Sequence, residues 1–440
     1  MQSAMDINFY YIIDVMSNIN RKVHMKILEG KIIKFYREMK QLRQKDIVHG
    51  VCSTTHISKI ERGQTEVSSD IIEILSTRLG INMQEEIEYY TLLENILKEW
   101  HEAIILSFNS KVEQLKAKLE KIPLLQLHEF YRSYTLILTR YYLWTGEGDA
   151  AASLIKKMEK WANPTPYDEN MLLHMKGIFC LRFKDENYKA ISLLKAIDVN
   201  VYNHPEYNYD LAVAYHSIKS RVSSYYHANK ALLFFKDAQS FSRVIDTEML
   251  MLIQLEQDDF YDAKDMEYKR LLEAVNNYGL HKQRSMLLHN YAYHQLRRGH
   301  ITVACIYYKE ALETKEADTP GYLGSLEGYL HALTIEGKTP LNELIPMAEK
   351  GLSLAKELVE TIYIHLFKLH LYKLQKKNHA YFHYLEIKAY PYFTKSGHVF
   401  LAEHYNMKLY KYYMEKDDIE KANEYAAHIV SQTYKDYTFV

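Results

Sequence analysis

The chain has 440 residues, of which 48% are apolar and 25% charged, and its formal net charge is -1. This length allows one large core, several domains or one continuous array of helical repeats. The balanced charge excludes a globally basic nucleic-acid-binding protein. No apolar run approaches the ~18 residues of a membrane span. The cysteines Cys52, Cys180 and Cys305 lack a metal-ligand spacing, which favours reduced thiols.

Residues 1 to 24 form an extension whose order the sequence does not indicate. They contain no basic segment followed by an apolar stretch and a small-residue cleavage site, so we expect no secretory signal. From Lys26 to Arg62 there are nine basic and four acidic residues, an excess of five positive charges. This local excess indicates where a nucleic-acid surface could lie.

Four helices are predicted next, because apolar residues recur there at spacings of three and four. The first covers Ile27 to Met39, with an inward stripe of Ile32, Ile33, Tyr36 and Met39. The second covers Gln44 to His49, and Gly50 supplies the turn. Ser53 or Thr54 caps the third, whose Ile57 and Ile60 face inward, and the fourth runs from Ser68 or Ser69 to Gly80. Residues 44 to 62 therefore predict a helix-turn-helix within a DNA-binding domain at 25–82, followed by a helical linker at 83–122.

The stretch from Ser58 to Gly63 resembles the end of the recognition helix in Cro/repressor-like regulators. The resemblance implies that Gln44 contacts backbone or a base edge and that Glu61 makes an internal salt bridge. It implies base contacts for Ser53, Thr54, Thr55 and His56, and phosphate contacts for Arg37, Lys45, Lys59 and Arg62. The alternative is a small bundle that packs against the repeats, as a relic or a dimerisation cap.

Residues 123–440 contain weak repeats, the clearest between Arg284 and Lys315. There a turn at Gly299 is followed by Ala304, Tyr308 and Ala311, a pattern that resembles the tetratricopeptide repeat. Weaker copies centre on Ala190, Ala228, Ala263 and Ala422. The sequence thus predicts an all-α protein, an amino-terminal Cro/repressor-like helix-turn-helix domain followed by a right-handed superhelix of degenerate tetratricopeptide repeats.

Stacked helix pairs curve, so their first helices would line a concave groove that can hold an extended peptide. Aligning the repeat around Gly299 with the tetratricopeptide pattern places five side chains on that inner face: Met286, His289, Asn290, Tyr293 and Arg297. Neighbouring units add Glu327, His331 and Arg221. An asparagine amide can grip a peptide backbone and an arginine can pair with a carboxylate. The alternative is a scaffold whose inner face is merely solvated.

Other chemistry is poorly supported by the sequence. His379 and His383 lie one helical turn apart without a third ligand, so we expect no metal site. Phosphate-binding, nucleophile-elbow, zincin and dinucleotide motifs are missing from the sequence, so we expect neither an enzyme nor a cofactor. The 39 tyrosines mostly lie at helical core spacing, which favours packing over stacking against single-stranded nucleic acid.

This two-part layout resembles the peptide-pheromone receptors of Gram-positive bacteria, the group that includes Rgg, Rap, NprR, PlcR and PrgX, and is most similar to NprR. The resemblance implies a cytoplasmic quorum-sensing transcriptional regulator. Its partners would be double-stranded DNA with a palindromic operator, a short signalling oligopeptide and a second copy of the chain, held through the repeat domain, with no membrane. The alternative is a regulator that sequesters a phosphorelay response regulator and releases it when peptide binds. A phosphatase would need a catalytic side chain on the linker, and neither Gln84 nor Gln114 aligns with one.

Overall fold

The structure is a computed structural model of the chain and describes residues 28–65, 67–184, 186–255, 261–317 and 319–435. The predicted extension at 1–24 lies outside these residues. The described residues form helices and turns with no strand, which confirms the predicted all-α class. Among them, no helix combines the length and the apolar character that a bilayer span requires. The chain divides into two compact units, Met1–Thr145 and Gly146–Val440. The finer predicted boundaries after residues 24, 82 and 122 stay predictions.

The first unit contains seven helices and one 3₁₀ turn in its described part. These are α1 (28–39), α2 (Gln44–Val48), α3 (Thr54–Glu61), α4 (Ser69–Leu79), α5 (Met83–Ile105), α6 (Asn109–Leu119), the 3₁₀ turn Pro123–Gln126 and α7 (His128–Thr145).

The predicted start of α3 and the predicted start and end of α4 are confirmed. Ser53 caps α3, and its hydroxyl oxygen accepts a hydrogen bond from the backbone N–H of His56 at 3.1 Å. Ser68 precedes α4, and Gly80 ends it with φ of 64°. Ile57 and Ile60 are buried as predicted, whereas Met39 is 50% exposed. The prediction for Met39 was wrong because this residue closes the last turn of α1, where the chain faces solvent.

Gly30 sets how closely α1 and α3 pack. A Cβ atom at this position would lie 2.0 Å from the carbonyl oxygen of Ile60. Only a residue without a side chain therefore allows the two helices to approach this far. The contact holds α3 against the buried face of α1, where Ile32 and Ile33 are fully enclosed.

The second unit is an array of antiparallel helices joined by short turns. Its helices are α8 (Gly148–Met158), α9 (Pro166–Phe183), α10 (Asn187–Lys195), α11 (Tyr207–Ser217), α12 (Arg221–Asp237), α13 (Phe241–Gln254), α14 (Tyr261–Asn277), α15 (His281–Arg297), α16 (Ile301–Glu313), α17 (Pro320–Glu336), α18 (Leu341–Glu357), α19 (Thr361–Leu374), α20 (Asn378–Tyr384), α21 (Tyr390–Lys395), α22 (Val399–Glu415) and α23 (Ile419–Lys435), with a π-helical segment at Leu385–Ala389.

Small residues at the predicted repeat positions let neighbouring helices pack closely. Ala304, Tyr308 and Ala311 on α16 are all buried, as the repeat pattern requires. Ala190, Ala228 and Ala422 are also buried, but Ala263 is exposed. The inward position on α14 is Lys264, one residue later, followed by Tyr268 and Leu271 at the same spacing as on α16. The predicted copy at Ala263 was therefore offset by one residue.

The second unit also closes on itself through two residues of its early part and four residues near its end. The Asn187 amide donates to the carbonyl oxygens of Ser396 and Gly397 at 3.3 and 3.4 Å. Lys219 forms an ion pair with Glu403, and its ammonium lies 4.7 Å from the centre of the Phe400 ring. We call this set, Asn187, Lys219, Ser396, Gly397, Phe400 and Glu403, the closing contact.

Candidate functional site

The exposed side of α3 carries the polar residues predicted to read base edges. Ser53, Thr54 and Thr55 are exposed at its amino-terminal end, and His56 is half-buried. The basic side chains Lys45, Lys59 and Arg62 are exposed on and beside the same helix pair, and Arg62 Nε donates to the carbonyl oxygen of Ser58 at 3.0 Å. These six exposed side chains form one polar and basic surface, whose contact with DNA stays a prediction.

Two further predicted DNA contacts, Arg37 and Gln44, are held by Glu61. Arg37 Nε donates to Glu61 Oε1 at 2.5 Å and its Nη2 to Oε2 at 3.0 Å, while Gln44 Nε2 donates to Oε2 at 2.8 Å. The salt bridge expected of Glu61 is thus present. The hydrogen bond to Glu61 raises the pKa of Arg37. In this arrangement Arg37 and Gln44 tie α1 and α2 to α3 and orient the exposed surface.

A cavity of about 970 Å³ lies within the second unit. It is lined mainly by the inner helices α15, α17, α19 and α22, with contributions from the turn before α12 and from its first residue. Its walls combine apolar and aromatic side chains with charged ones. The lining residues are Lys219, Arg221, Tyr293, Leu296, Arg297, Tyr308, Glu327, Gly328, His331, Ile335, Leu366, Leu369, His370, Lys373, Tyr381, Phe400, Leu401, Glu403, His404, Tyr405, Met407 and Lys408.

The structure brings Arg221, Tyr293, Arg297, Glu327 and His331, all predicted to face a groove, to this one cavity. Their role in ligand binding stays a prediction.

Met286, His289 and Asn290 lie one to two turns nearer the start of α15 and do not line the cavity. Met286 packs against a core cluster that includes Tyr268. The cavity therefore meets only the carboxy-terminal part of α15.

His289 is built into the packing between α15, α16 and α17. Its Nδ1 lies 3.1 Å from Ser325 Oγ, and its ring meets that of Tyr308 edge-on at 5.5 Å. Burial lowers its pKa to about 4, and the charge of Lys315 acts in the same direction. His289 is thus favoured in its neutral form.

Sequence reasoning did not single out the cavity residues on α19 and α22, notably His370, Lys373, His404 and Lys408. Each lies at ordinary helical spacing, and nothing in the local pattern distinguishes it. The closing contact brings α22 to the cavity, because it joins segments about 200 residues apart along the chain. No short-range signal encodes that approach.

Glu327 and His370 form a polar pair in the cavity wall. His370 Nε2 donates to Glu327 Oε1 at 2.7 Å, and the His331 ring lies 5.9 Å from that of His370. Burial by itself raises the pKa of Glu327, but the hydrogen bond from His370 and the nearby histidines hold it below its ordinary value overall. Burial lowers the pKa of His331, although the charge of Glu327 acts in the opposite direction. The pair thus holds a carboxylate in the ionised form.

The lining can bind by hydrogen bonds, ion pairs and apolar contacts. In the described ranges, no group of three histidine, cysteine, aspartate or glutamate side chains is placed to hold a metal ion. Cys180 and Cys305 are buried and Cys52 is partly exposed, and all three are free thiols.

Comparison with solved structures places this architecture among known folds. A Rap protein complexed with Competence and Sporulation Factor has a TM-score of 0.66 and 16% identity, over 78% of this chain and 98% of the Rap chain. NprR in complex with its cognate peptide NprX has a TM-score of 0.63 and 19% identity, over 78% of this chain and 99% of the NprR chain. The chain has the fold of the Rap and NprR peptide-pheromone receptors. The predicted tetratricopeptide-like array is confirmed at this level.

The apo form of the quorum sensor NprR from B. thuringiensis is also similar, with a TM-score of 0.57 and 17% identity over 80% of this chain and 100% of that chain. No protein-family model matches the sequence, and no curated protein matches it significantly. At these identities the similarity concerns the fold alone, so the function has to be argued from the site.

Proposed function

We propose that the chain is a peptide-responsive, DNA-binding regulator without catalytic activity, and that a short signalling peptide occupies the cavity of the second unit. The cavity carries this proposal. Its volume of about 970 Å³ lies at the upper end of the range for small-molecule sites, which is about 300 to 1,000 Å³. It belongs to a fold shared with NprR and with a Rap protein, both of which were solved in complex with a signalling factor.

The composition of the wall supports a peptide as the ligand. Tyr293, Tyr381 and Phe400 offer rings against which apolar side chains can pack. Arg221 and Arg297 also line the cavity and can pair with carboxylates. A ligand with both apolar side chains and charged ends matches this mixture better than a purely apolar one.

We propose that α3 binds double-stranded DNA in the major groove. Its exposed Thr54 and Thr55 would meet base edges, and Lys59 and Arg62 would meet phosphates. A cytoplasmic homodimer would place two such helices about one DNA turn apart on a palindromic operator. The peptide would change DNA binding by preferring one arrangement of the chain to another.

The alternative proposal is a protein-binding regulator that holds a response regulator and releases it when peptide binds. The similarity to a Rap protein favours it. The two proposals differ in what α3 does. If the alternative holds, changing Thr55 and Lys59 leaves partner binding intact and no DNA sequence is preferred.

The first experiment measures thermal unfolding and mass by light scattering of the full chain, with and without synthetic peptides drawn from a small reading frame beside the gene. A ligand at 100 times its Kd stabilises the folded state by about 2.7 kcal/mol, which a melting curve resolves. We expect a peptide-dependent rise in Tm. Tyr293→Ala should weaken this response, whereas Tyr226→Ala should not, although the two rings are similarly exposed at 50% and 55%. No response to any peptide would overturn the proposal.

A further inference from the structure

The charges that face the cavity are unbalanced. Five basic side chains line it, against two carboxylates, Glu327 and Glu403. With the histidines neutral, three positive charges are in excess. The basic lining residues are Lys219, Arg221, Arg297, Lys373 and Lys408.

Both carboxylates already have partners within the protein. Glu403 pairs with Lys219 in the closing contact, and Glu327 accepts the hydrogen bond of His370. Both carboxylates of the cavity lining are therefore already ion-paired or hydrogen-bonded before a ligand binds. With both carboxylates counted, the lining residues keep an excess of positive charge.

Two of these basic lining residues are Lys373 on α19 and Lys408 on α22. Neither forms an ion pair with a described residue, and the Lys408 ammonium lies 5.1 Å from the centre of the Tyr405 ring. Burial and, to a smaller extent, the charge of Lys373 lower the pKa of Lys408 to about 8, although the charge of Glu327 acts in the opposite direction. The charges of the two lysines repel each other, and the partial burial of Lys408 adds a desolvation cost. The state in which both are charged is therefore unfavourable unless an anion lies between them.

The surroundings of the two lysines favour a carboxylate attached to an apolar body. Leu366 and Leu369 on α19 and Tyr405 on α22 line the same stretch of wall. His331 lines the same cavity from α17, and the charges of both Lys373 and Lys408 lower its pKa. An isolated small anion would leave the apolar surface beside the lysines uncovered, whereas a peptide would cover it.

We propose that the signalling peptide is acidic and that one of its carboxylates lies between Lys373 and Lys408. This inference rests on the proposed peptide-binding function and adds the chemical class of the ligand. The carboxylate belongs to an aspartate or glutamate side chain of the peptide, which can accept charge-assisted hydrogen bonds from both lysine ammonium groups.

The test uses the full chain and three synthetic hexapeptide pools. One pool carries a fixed aspartate or glutamate, the second the isosteric asparagine or glutamine, and the third a lysine or arginine. Each pool is made with a free and with an amidated carboxy terminus. We expect the acidic pool to stabilise the protein most, with a preference that falls as salt is raised. The preference for the acidic pool should survive amidation, because the terminal carboxylate is common to all three pools. Binding that is lost on amidation in every pool would move the contact to the peptide terminus and overturn the side-chain assignment.

Three variants locate the carboxylate. Lys373→Gln and Lys408→Met each remove one charge, and the methionine keeps the apolar stem of Lys408. Each should weaken binding of the acidic pool on the order of tenfold or more, with little effect on the neutral pool. Lys411→Met is the matched control, because Lys411 is exposed on the same helix and does not line the cavity. Melting without peptide checks the fold, and Lys408→Met should keep or raise the Tm because it removes a desolvated charge.

The possible outcomes separate this inference from the function on which it rests. If no pool stabilises the protein, the peptide-binding function itself fails. If peptides bind but the neutral or basic pool is preferred, the acidic ligand is wrong and the peptide-binding function stands. If the acidic pool is preferred and both lysine variants keep that preference, the position of the carboxylate is wrong.

Discussion

Lys219 and Glu403 form an ion pair across 184 positions of the chain, and the same ammonium lies 4.7 Å from the centre of the Phe400 ring. All three side chains line the cavity. Because Lys219 precedes α12 whereas Phe400 and Glu403 lie on α22, these contacts join two distant segments of the chain in one cavity wall.

The first prediction concerns this pair. The Lys219 and Glu403 side chains are 26% and 41% exposed, so Lys219→Met should cost less than about 1 kcal/mol of unfolding free energy. Local opening should nevertheless increase, because α22 loses a tether. Amide hydrogen exchange over Val399–Glu415 should accelerate. Lys189→Met is the control, since its partner Glu186 is only three residues away. Unchanged exchange in α22 would show that the pair does not hold the contact.

The second prediction is a pH dependence of stability to which His289 contributes, together with His294 and His404, whose pKa values burial also lowers to about 4. The pKa of His289 falls from an ordinary value near 6.5 to about 4 in the folded chain. A histidine whose pKa is lowered on folding contributes its full stabilisation above pH 6.5, where it is neutral in both states. This contribution disappears as the pH falls towards 4, because the unfolded chain binds the proton first. The loss at pH 4 is about 3 kcal/mol if the shift is complete. His289→Gln should therefore flatten the fall of chemical-denaturation stability between pH 6.5 and 4. His379→Gln, at an exposed histidine, should leave the wild-type slope.

The third prediction tests the close packing of α1 and α3. Gly30→Ala places a methyl group 2.0 Å from the Ile60 carbonyl oxygen, so the helices must separate. We expect a loss of about 1 to 3 kcal/mol in the first unit, together with weaker DNA binding. Gly321→Ala provides the comparison, because its nearest neighbour, Lys315 Cε, is 3.9 Å away. Equal melting curves for the two variants would argue against a tight contact at Gly30.

The fourth prediction separates base recognition from phosphate binding. Replacing Thr55 and His56 with alanine should reduce sequence preference more than non-specific affinity, because these residues would face base edges. Lys59→Gln should weaken all DNA sequences alike and lower the salt slope of log K by about 0.9. Thr77→Ala on α4 is the control, since its hydroxyl donates to the Glu73 carbonyl oxygen at 2.9 Å. Selection from random DNA, followed by titration at several salt concentrations, measures both effects. Equal loss of specific and non-specific binding in the first variant would remove Thr55 and His56 as base readers.

Local sequence signals predict the helices of this chain well. The caps at Ser53 and Gly80 follow from side-chain hydrogen bonding and from the freedom of glycine at positive φ, both of which act over a few residues. The buried positions on α16 follow from small-residue spacing. The repeat copy at Ala263 was placed one residue too early. An alanine is small whether it is buried or exposed, and Lys264, which is the buried residue, gives no apolar signal in the sequence.

The cavity could be predicted only in part. Tyr293 and Arg297 lie one turn apart at the end of α15, and the repeat pattern places that face inward. Lys373 and Lys408 could not be found in this way, because periodicity identifies an inward face without saying which distant helix lies opposite. That information comes from the closing contact, which depends on the summed curvature of many helix pairs.

The closing contact also sets an order of events during synthesis. Most repeat arrays can fold from either end, because each unit touches only its neighbours. Here the early residues Asn187 and Lys219 must wait for Gly397 and Glu403 to leave the ribosome before the cavity wall is complete. The helices that carry Ser53 to Arg62 emerge long before that point. A nascent chain would thus expose its basic surface before it could respond to any ligand, and only a chain translated past Lys408 would respond to the peptide.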